Sequence, residues 1–178
     1  MHVELGGNRY RSKLTSKHRG DYPHMTKRYF EDIDVGTVFD LGHFSVTRDD
    51  ILEFAERYDP QPIHVDPEVA EESIYGGLIA SGWHTGSLCM RQLANELMND
   101  AASLGSFGLE ELRWRKPLRP GDTVFVESEI LDKRRSESHD DRGYISNELR
   151  GKNAEGELVI SWRATNIFLR RDYAESAD

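Results

Sequence analysis

Apolar residues recur at helical spacing in two stretches of the chain. The first is DDILEFAERY (residues 49–58), which follows Thr47 in an N-cap position with Asp50 three residues later. In the second, residues 81–99, the apolar or small residues that follow an i, i+3, i+4 pattern are Gly86, Cys89, Met90, Leu93, Ala94, Leu97 and Met98. We expect this longer helix to be central and buried.

Strand periodicity occupies most of the remaining chain. Residues 37–46 (TVFDLGHFSV) are β-branched and aromatic, and beyond Gly108 a period of two predicts four strands, at 109–118, 122–131, 144–151 and 157–171. Asp66 and Pro67 open a short predicted helix, and the polar run 133–143 predicts a hairpin loop. The order is that of an α+β fold with the long helix packed on one antiparallel sheet.

The 178 residues are expected to form one domain over residues 28–171, after a leader (1–27) and before a C-terminal tail (172–178). The leader shows no periodicity, and Met25 is a candidate for the natural start. The net charge is −9, but the leader carries +4, so residues 28–178 carry −13. Such an acidic body argues against nucleic acid or an anionic membrane as partner.

Cys89 is the only cysteine, which excludes an internal disulfide and agrees with a reducing compartment. We expect it to be a small buried residue. No apolar run approaches the roughly 18 residues of a membrane span. The usual Cys and His spacings of zinc sites are missing as well, so we expect a cytoplasmic protein with no metal.

Candidate chemistry begins in YDPQPIH (residues 58–64), where two prolines are expected to exclude a regular helix or a central strand. The stretch presents Asp59 and His64, a carboxylate and an imidazole, the two groups best suited to move protons near neutral pH. On this pattern alone, a simple hydrogen bond within the loop is the alternative interpretation.

A second polar feature is LIASGWHT (residues 78–85), which places Ser81 and Gly82 at the start of the long helix. Unpaired backbone N–H groups at a helix start can receive a developing oxyanion. Ser81 is expected to be an N-cap rather than a nucleophile, because no Gly-x-Ser-x-Gly elbow surrounds it. His84 lies in the first turn of the same helix.

The segment YDPQPIHVDPEVAEESIYGGLIASGWHT, followed by a helix and then ELRWRKPLRPGDTVFVESEI, resembles the MaoC-like dehydratases, which include the (R)-specific enoyl-CoA hydratases. The resemblance covers residues 29–170. It implies a hot-dog fold, in which a curved antiparallel sheet wraps a long helix, and a homodimer or higher homo-oligomer with acyl-CoA tunnels near subunit interfaces.

The resemblance further implies that Asp59 and His64 are the catalytic pair and that the Gly82 N–H binds the thioester oxygen. Water would add across a trans-2-enoyl thioester of CoA or acyl carrier protein to give a 3-hydroxyacyl thioester, without a cofactor. Either member of the pair can be the base. The chain departs from the commonest family pattern at Gln61, where asparagine is usual, and at Ser81, where histidine usually precedes the glycine.

Further candidates for substrate binding are Ser81, Trp83 and His84, beside the expected oxyanion position. We expect Trp83 and His84 to shorten the acyl tunnel or to recognise a polar or branched acyl group, unless Trp83 is simply part of the core. The candidates for binding CoA phosphates are Arg113, Arg115, Lys116 and Arg119, which as an alternative protect a strand edge by charge. Alternative functions are a hot-dog thioesterase and a non-catalytic acyl-binding subunit.

Overall fold

A five-stranded antiparallel sheet curves around one long helix in the computed structural model, which describes residues 27–174. The helices are α1 (Arg48–Tyr58), α2 (Pro62–Val65), α3 (Pro67–Glu72), α4 (Gly82–Leu93) and α5 (Arg171–Ala174). The strands are β1 (Val38–Ser45), β2 (Ser103–Trp114), β3 (Thr123–Arg135), β4 (Arg142–Lys152) and β5 (Leu158–Leu169). A 3-10 turn at Phe30–Asp32 precedes β1, and π-helical Ala94–Met98 extends α4.

The strands lie in the order β1-β3-β4-β5-β2, and every neighbouring pair is antiparallel. The main core joins α4 to the inner face of the sheet through Cys89, Leu93, Val124, Val126 and Ile160. All five side chains are buried. The predicted α+β, hot-dog arrangement with a central buried helix is therefore confirmed.

Local signals account for the helix starts. The Thr47 hydroxyl accepts from the Asp50 N–H, and the Asp50 carboxylate accepts from the Thr47 N–H, so the predicted capping box opens α1. The side chain of Ser81 caps α4 by accepting from the Trp83 N–H. The helical backbone runs on to Met98, close to the predicted end of the long helix.

Two expectations about elements were wrong. Residues Pro62–Val65 form a helical turn, although the prolines were expected to exclude a regular helix, because Pro62 occupies the first helical position, where no backbone donor is needed. Strand β2 begins at Ser103, six residues before its predicted start. Gly105 and Gly108 adopt positive φ, and three register shifts along β2 interrupt the alternation that marks a strand.

The structure describes little of the predicted leader and of the predicted C-terminal tail. Of the predicted leader only Lys27 belongs to the described residues, and of the predicted tail only residues 172–174 do. Helix α5 crosses the predicted boundary between domain and tail. Within residues 27–174, no helix is long and apolar enough to cross a membrane.

Candidate active site

Asp59 and His64 face each other where α1 ends and α2 begins. Asp59 is the C-cap of α1, and His64 lies buried within α2. The Nδ1 atom of His64 lies 2.9 Å from the carbonyl oxygen of Ile79, which can only accept, so Nδ1 carries a proton. The Nε2 atom is therefore directed at Asp59, 3.6 Å from Oδ2. This separation is too long for a direct hydrogen bond and allows one water molecule to contact both groups.

The carboxylate of Asp59 accepts two side-chain hydrogen bonds. The Ser81 hydroxyl donates to Oδ2 at 2.6 Å, and the Gln61 amide donates to Oδ1 at 2.7 Å. These bonds, that of Ser81 first, together with the nearby His64, hold the pKa of Asp59 below its usual value against the opposing effect of burial. Asp59 is thus an ionised hydrogen-bond acceptor at neutral pH.

Gly82 is the first residue of α4, so its N–H belongs to the turn that has no intrahelical acceptor. The indole of Trp114 packs against the α-carbon of Gly82. An ideal Cβ at Gly82 would lie 2.5 Å from Cε2 of Trp114, closer than real contacts allow. Any other residue would displace the indole or the start of the helix, so this position requires glycine.

A cavity of about 450 Å³ joins these elements. The predicted site residues that line it are Asp59, His64, Gly82, Trp83, Arg115 and Lys116. Ser81 is fully buried and reaches the site through its bond to Asp59. Lys116 also pairs with Glu157 at 2.5 Å, and both of these side chains are about half exposed. The cavity therefore combines proton-transfer groups, a helix start and two cationic side chains.

The structure places two predicted substrate-binding residues elsewhere. His84 points to the opposite side of α4, into a second cavity of about 540 Å³ between α1 and α4, where its ring stacks on Phe54. Its Nδ1 is buried and has no hydrogen-bond partner in the described part of the chain, and burial lowers the pKa of this imidazole. Arg113 does not line the cavity that contains Asp59 and His64, and its guanidinium donates to the Leu112 carbonyl at 2.9 Å.

Sequence reasoning missed two residues of the site. Gln61 was noted only as a departure from the family pattern, yet its amide holds Asp59, and its place two residues from that carboxylate was the available signal. Trp114 donates from Nε1 to the Gly82 carbonyl at 2.9 Å. These two residues are 32 positions apart, so no local pattern predicts their contact. Arg119, another phosphate candidate, donates instead to the Tyr75 carbonyl.

Residues 27–174 contain no group of three or more His, Cys, Asp or Glu side chains placed to hold a metal ion. Cys89 is buried in the core, as expected, and burial raises the pKa of its thiol to about 12. A thiol in that state is a poor nucleophile at neutral pH.

Comparisons with known proteins identify the family. A family model described as "MaoC like domain" matches residues 33–149. The crystal structure of a MaoC-like dehydratase from Rhodospirillum rubrum has 39% sequence identity and a TM-score of 0.75, and the match covers 80% of this chain and 97% of that one.

Two curated sequences are also similar. A 3-hydroxybutyryl-CoA dehydratase from Methylorubrum extorquens is 32% identical over 62% of this chain and 68% of its own length. An uncharacterized protein of Bacillus subtilis, YdeM, is 32% identical over 58% of this chain and 73% of its own length. The predicted family is thereby confirmed: the chain belongs to the MaoC-like dehydratase family.

Proposed function

We propose that the protein adds water to, or removes it from, an acyl thioester, interconverting a trans-2-enoyl thioester and a 3-hydroxyacyl thioester. The observation that carries the proposal is the approach of His64 Nε2 to Asp59 Oδ2, at 3.6 Å, in a cavity that also exposes the start of α4 at Gly82. The 3-hydroxybutyryl-CoA dehydratase among the relatives supports the same reaction class.

His64 is the base in the proposed hydration. Its Nδ1 proton is bound to the Ile79 carbonyl, which leaves the Nε2 lone pair free to accept a proton from water. Asp59, already holding bonds from Ser81 and Gln61, is the weaker base and instead orients the water through Oδ2. The water oxygen attacks C3 of the enoyl group while its proton passes to His64.

The second half of the reaction needs a site for negative charge. Attack at C3 moves the electrons of the double bond toward the thioester oxygen, where the Gly82 N–H stabilises the enolate. The imidazolium of His64, held near the carboxylate of Asp59, then returns a proton to C2. One hydroxyl on C3 and one hydrogen on C2 account for the added water. Dehydration follows the same steps in reverse.

The substrate is proposed to be a CoA or carrier-protein thioester. Both carriers end in a phosphate-linked pantetheine arm, and Arg115 and Lys116 supply cationic groups on the cavity wall. The acyl group enters toward Asp59 and His64, with the thioester oxygen at Gly82.

The test is hydration of crotonyl-CoA and longer enoyl-CoAs, followed by loss of the conjugated thioester absorbance. Asp59→Asn and His64→Ala should each lower kcat by about a hundredfold or more, because each removes a group that acts on the attacking water. Matched controls are Glu68→Gln, an exposed carboxylate on α3, and His43→Ala, an exposed imidazole on β1, which should retain wild-type kcat.

The alternative functions give different products in the same assay. Release of free CoA without hydration would identify a thioesterase. Binding of enoyl-CoA with neither reaction would identify a non-catalytic acyl-binding subunit. Wild-type hydration that survives both Asp59→Asn and His64→Ala would disprove the assigned roles while leaving the reaction class intact.

A further inference from the structure

Trp114 ties the end of strand β2 to the start of helix α4. It is the last residue of β2, and its Nε1–H donates to the Gly82 carbonyl at 2.9 Å. Its ring meets the Trp83 ring edge to face, with centroids 5.4 Å apart and an interplanar angle of 78°. The strand end is itself fixed, because Trp114 pairs with Ile160 of β5 and the next N–H, that of Arg115, donates to the Val159 carbonyl at 2.7 Å.

The indole also fills the space on Gly82 that a side chain would need, since three of its ring atoms would lie 2.5 to 2.8 Å from an ideal Cβ there. About half of the Trp114 side chain remains exposed, and Trp114 lines the catalytic cavity. The residue therefore contacts the backbone of the proposed oxyanion donor and borders the space that the thioester would occupy.

The carbonyl groups of Ser81 and Gly82, on either side of the Gly82 N–H, accept hydrogen bonds from different groups. The Ser81 carbonyl accepts from the Thr85 N–H at 3.1 Å and from the Thr85 hydroxyl at 3.3 Å, which fixes the peptide that carries the Gly82 N–H. The next peptide is fixed by the Trp114 indole at the Gly82 carbonyl. Of these contacts, only that of Trp114 comes from the sheet, so it sets where the helix start lies relative to the cavity wall.

We propose that Trp114 is a positioning residue for the hydration reaction: its indole N–H holds the first turn of α4 so that the Gly82 N–H meets the thioester oxygen, and its ring forms the wall beside that oxygen. The inference rests on the proposed function and extends it to a residue of the opposite structural layer. A planar enoyl thioester matches such a wall, because flat conjugated groups pack well against an aromatic face.

Two substitutions separate the N–H from the ring. Trp114→Phe keeps an aromatic wall and loses the donor, so kcat for crotonyl-CoA should fall about ten- to a hundredfold while KM changes little, since a misplaced oxyanion donor acts mainly on the transition state. Trp114→Leu removes the wall as well and should also raise KM. The matched control is Trp162→Phe, which removes from β5 a buried indole N–H that has no hydrogen-bond partner within residues 27–174, and it should leave kcat unchanged.

A double substitution tests the contact itself. Gly82→Ala keeps the backbone N–H but drives its Cβ into the Trp114 ring, so kcat should collapse. In Gly82→Ala/Trp114→Gly the ring is gone, and kcat should exceed that of Gly82→Ala alone. This rescue would show that the two residues contact each other, whereas the kcat-against-KM split of Trp114→Phe would not arise from a merely structural role. Thermal unfolding of each variant checks that it folds.

The outcomes distinguish this inference from the proposed function. A Trp114→Phe enzyme with wild-type kcat, or a double variant no better than Gly82→Ala, would overturn the role of Trp114 while hydration by the wild-type enzyme stands. A wild-type protein that hydrates no enoyl thioester would overturn the proposed function and the role of Trp114 together.

Discussion

The hydroxyl of Ser81 connects the start of α4 to the carboxylate of Asp59. It accepts from the Trp83 N–H at 3.2 Å, as an N-cap does, and donates its own proton to Asp59 Oδ2 at 2.6 Å. A hydrogen bond to a charged acceptor is worth more than a neutral one. One fully buried side chain thus stabilises the helix start and keeps Asp59 ionised.

Ser81→Ala is expected to raise the pKa of the Asp59 carboxyl. The bond from Ser81 is the largest cause of the lowered pKa of Asp59, so its removal raises that pKa. Asp59 is then protonated at a higher pH than in the wild type as the pH falls. The measurement is an NMR titration of the Asp59 carboxyl carbon, together with a loss of about 1 kcal/mol in stability from the missing cap.

Ser87→Ala is the matched control for this experiment. Ser87 lies on the same helix, and its hydroxyl donates to the Trp83 carbonyl at 2.7 Å without contacting Asp59. Its removal should leave the pKa of Asp59 unchanged. An unchanged Asp59 titration in Ser81→Ala would refute the assigned control of the Asp59 pKa.

The position of His84 could have been predicted more closely from the sequence. Residues two apart on an α-helix point about 200° apart, which favours His84 on the side of α4 away from Gly82. The predicted pairing of Trp83 with His84 beside the oxyanion followed sequence proximity instead of helix geometry. In contrast, the bond from Gln61 to Asp59 depends on how α1 ends, which the sequence specifies less directly.

At the scale of elements, α4 contains glycines that serve different purposes. Gly82 is required by the indole packed on it, whereas a Cβ at Gly86 would lie 3.9 Å from Ile160 Cδ1, an ordinary contact. Glycine inside a helix costs about 1 kcal/mol relative to alanine. Gly86→Ala should therefore raise the free energy of unfolding by about 0.5–1 kcal/mol, measured by denaturant titration.

Gly151 on β4 provides the opposite case. A Cβ there would lie 2.7 Å from Ile160 and 3.0 Å from Val124, beneath Cys89 of α4. Gly151→Ala should lower the free energy of unfolding by about 1–3 kcal/mol, because the packed layer between sheet and helix has no space for it. Equal effects of Gly86→Ala and Gly151→Ala would contradict this account of helix and sheet packing.

Element prediction succeeded where periodicity is local and failed where geometry is special. Helices α1 and α4 and strands β3, β4 and β5 follow regular patterns and were predicted. Helix α2 was excluded because proline was treated as a breaker, although Pro62 stands at the position that tolerates it. The early part of β2 was missed because Gly105 and Gly108 disrupt its alternation. Contacts between the sheet and the helix, such as that of Trp114 with Gly82, leave no local pattern in the sequence from which they could be predicted.

At the scale of the whole molecule, the sheet has two edge strands, β1 and β2. Among residues 27–174, β2 pairs only with β5. The large apolar side chains that β2 exposes are Leu104, Phe107, Leu109 and Trp114. A long, apolar, unpaired edge favours pairing with another chain. Because residues 28–178 carry −13, such an association would have to rely on apolar contact and strand pairing instead of charge attraction.

We therefore expect two copies of the chain to associate through β2, in agreement with the homodimer predicted from sequence. Phe107, 69% exposed, is the test position: Phe107→Lys places a charge on the apolar edge and should shift the mass in sedimentation equilibrium toward the monomer. Val35→Lys, at an exposed apolar residue that precedes β1, is the control and should leave the mass unchanged. A wild-type protein that is monomeric at micromolar concentration, or a Phe107→Lys variant that keeps the wild-type mass, would exclude this edge as the contact, because a buried lysine would oppose association there.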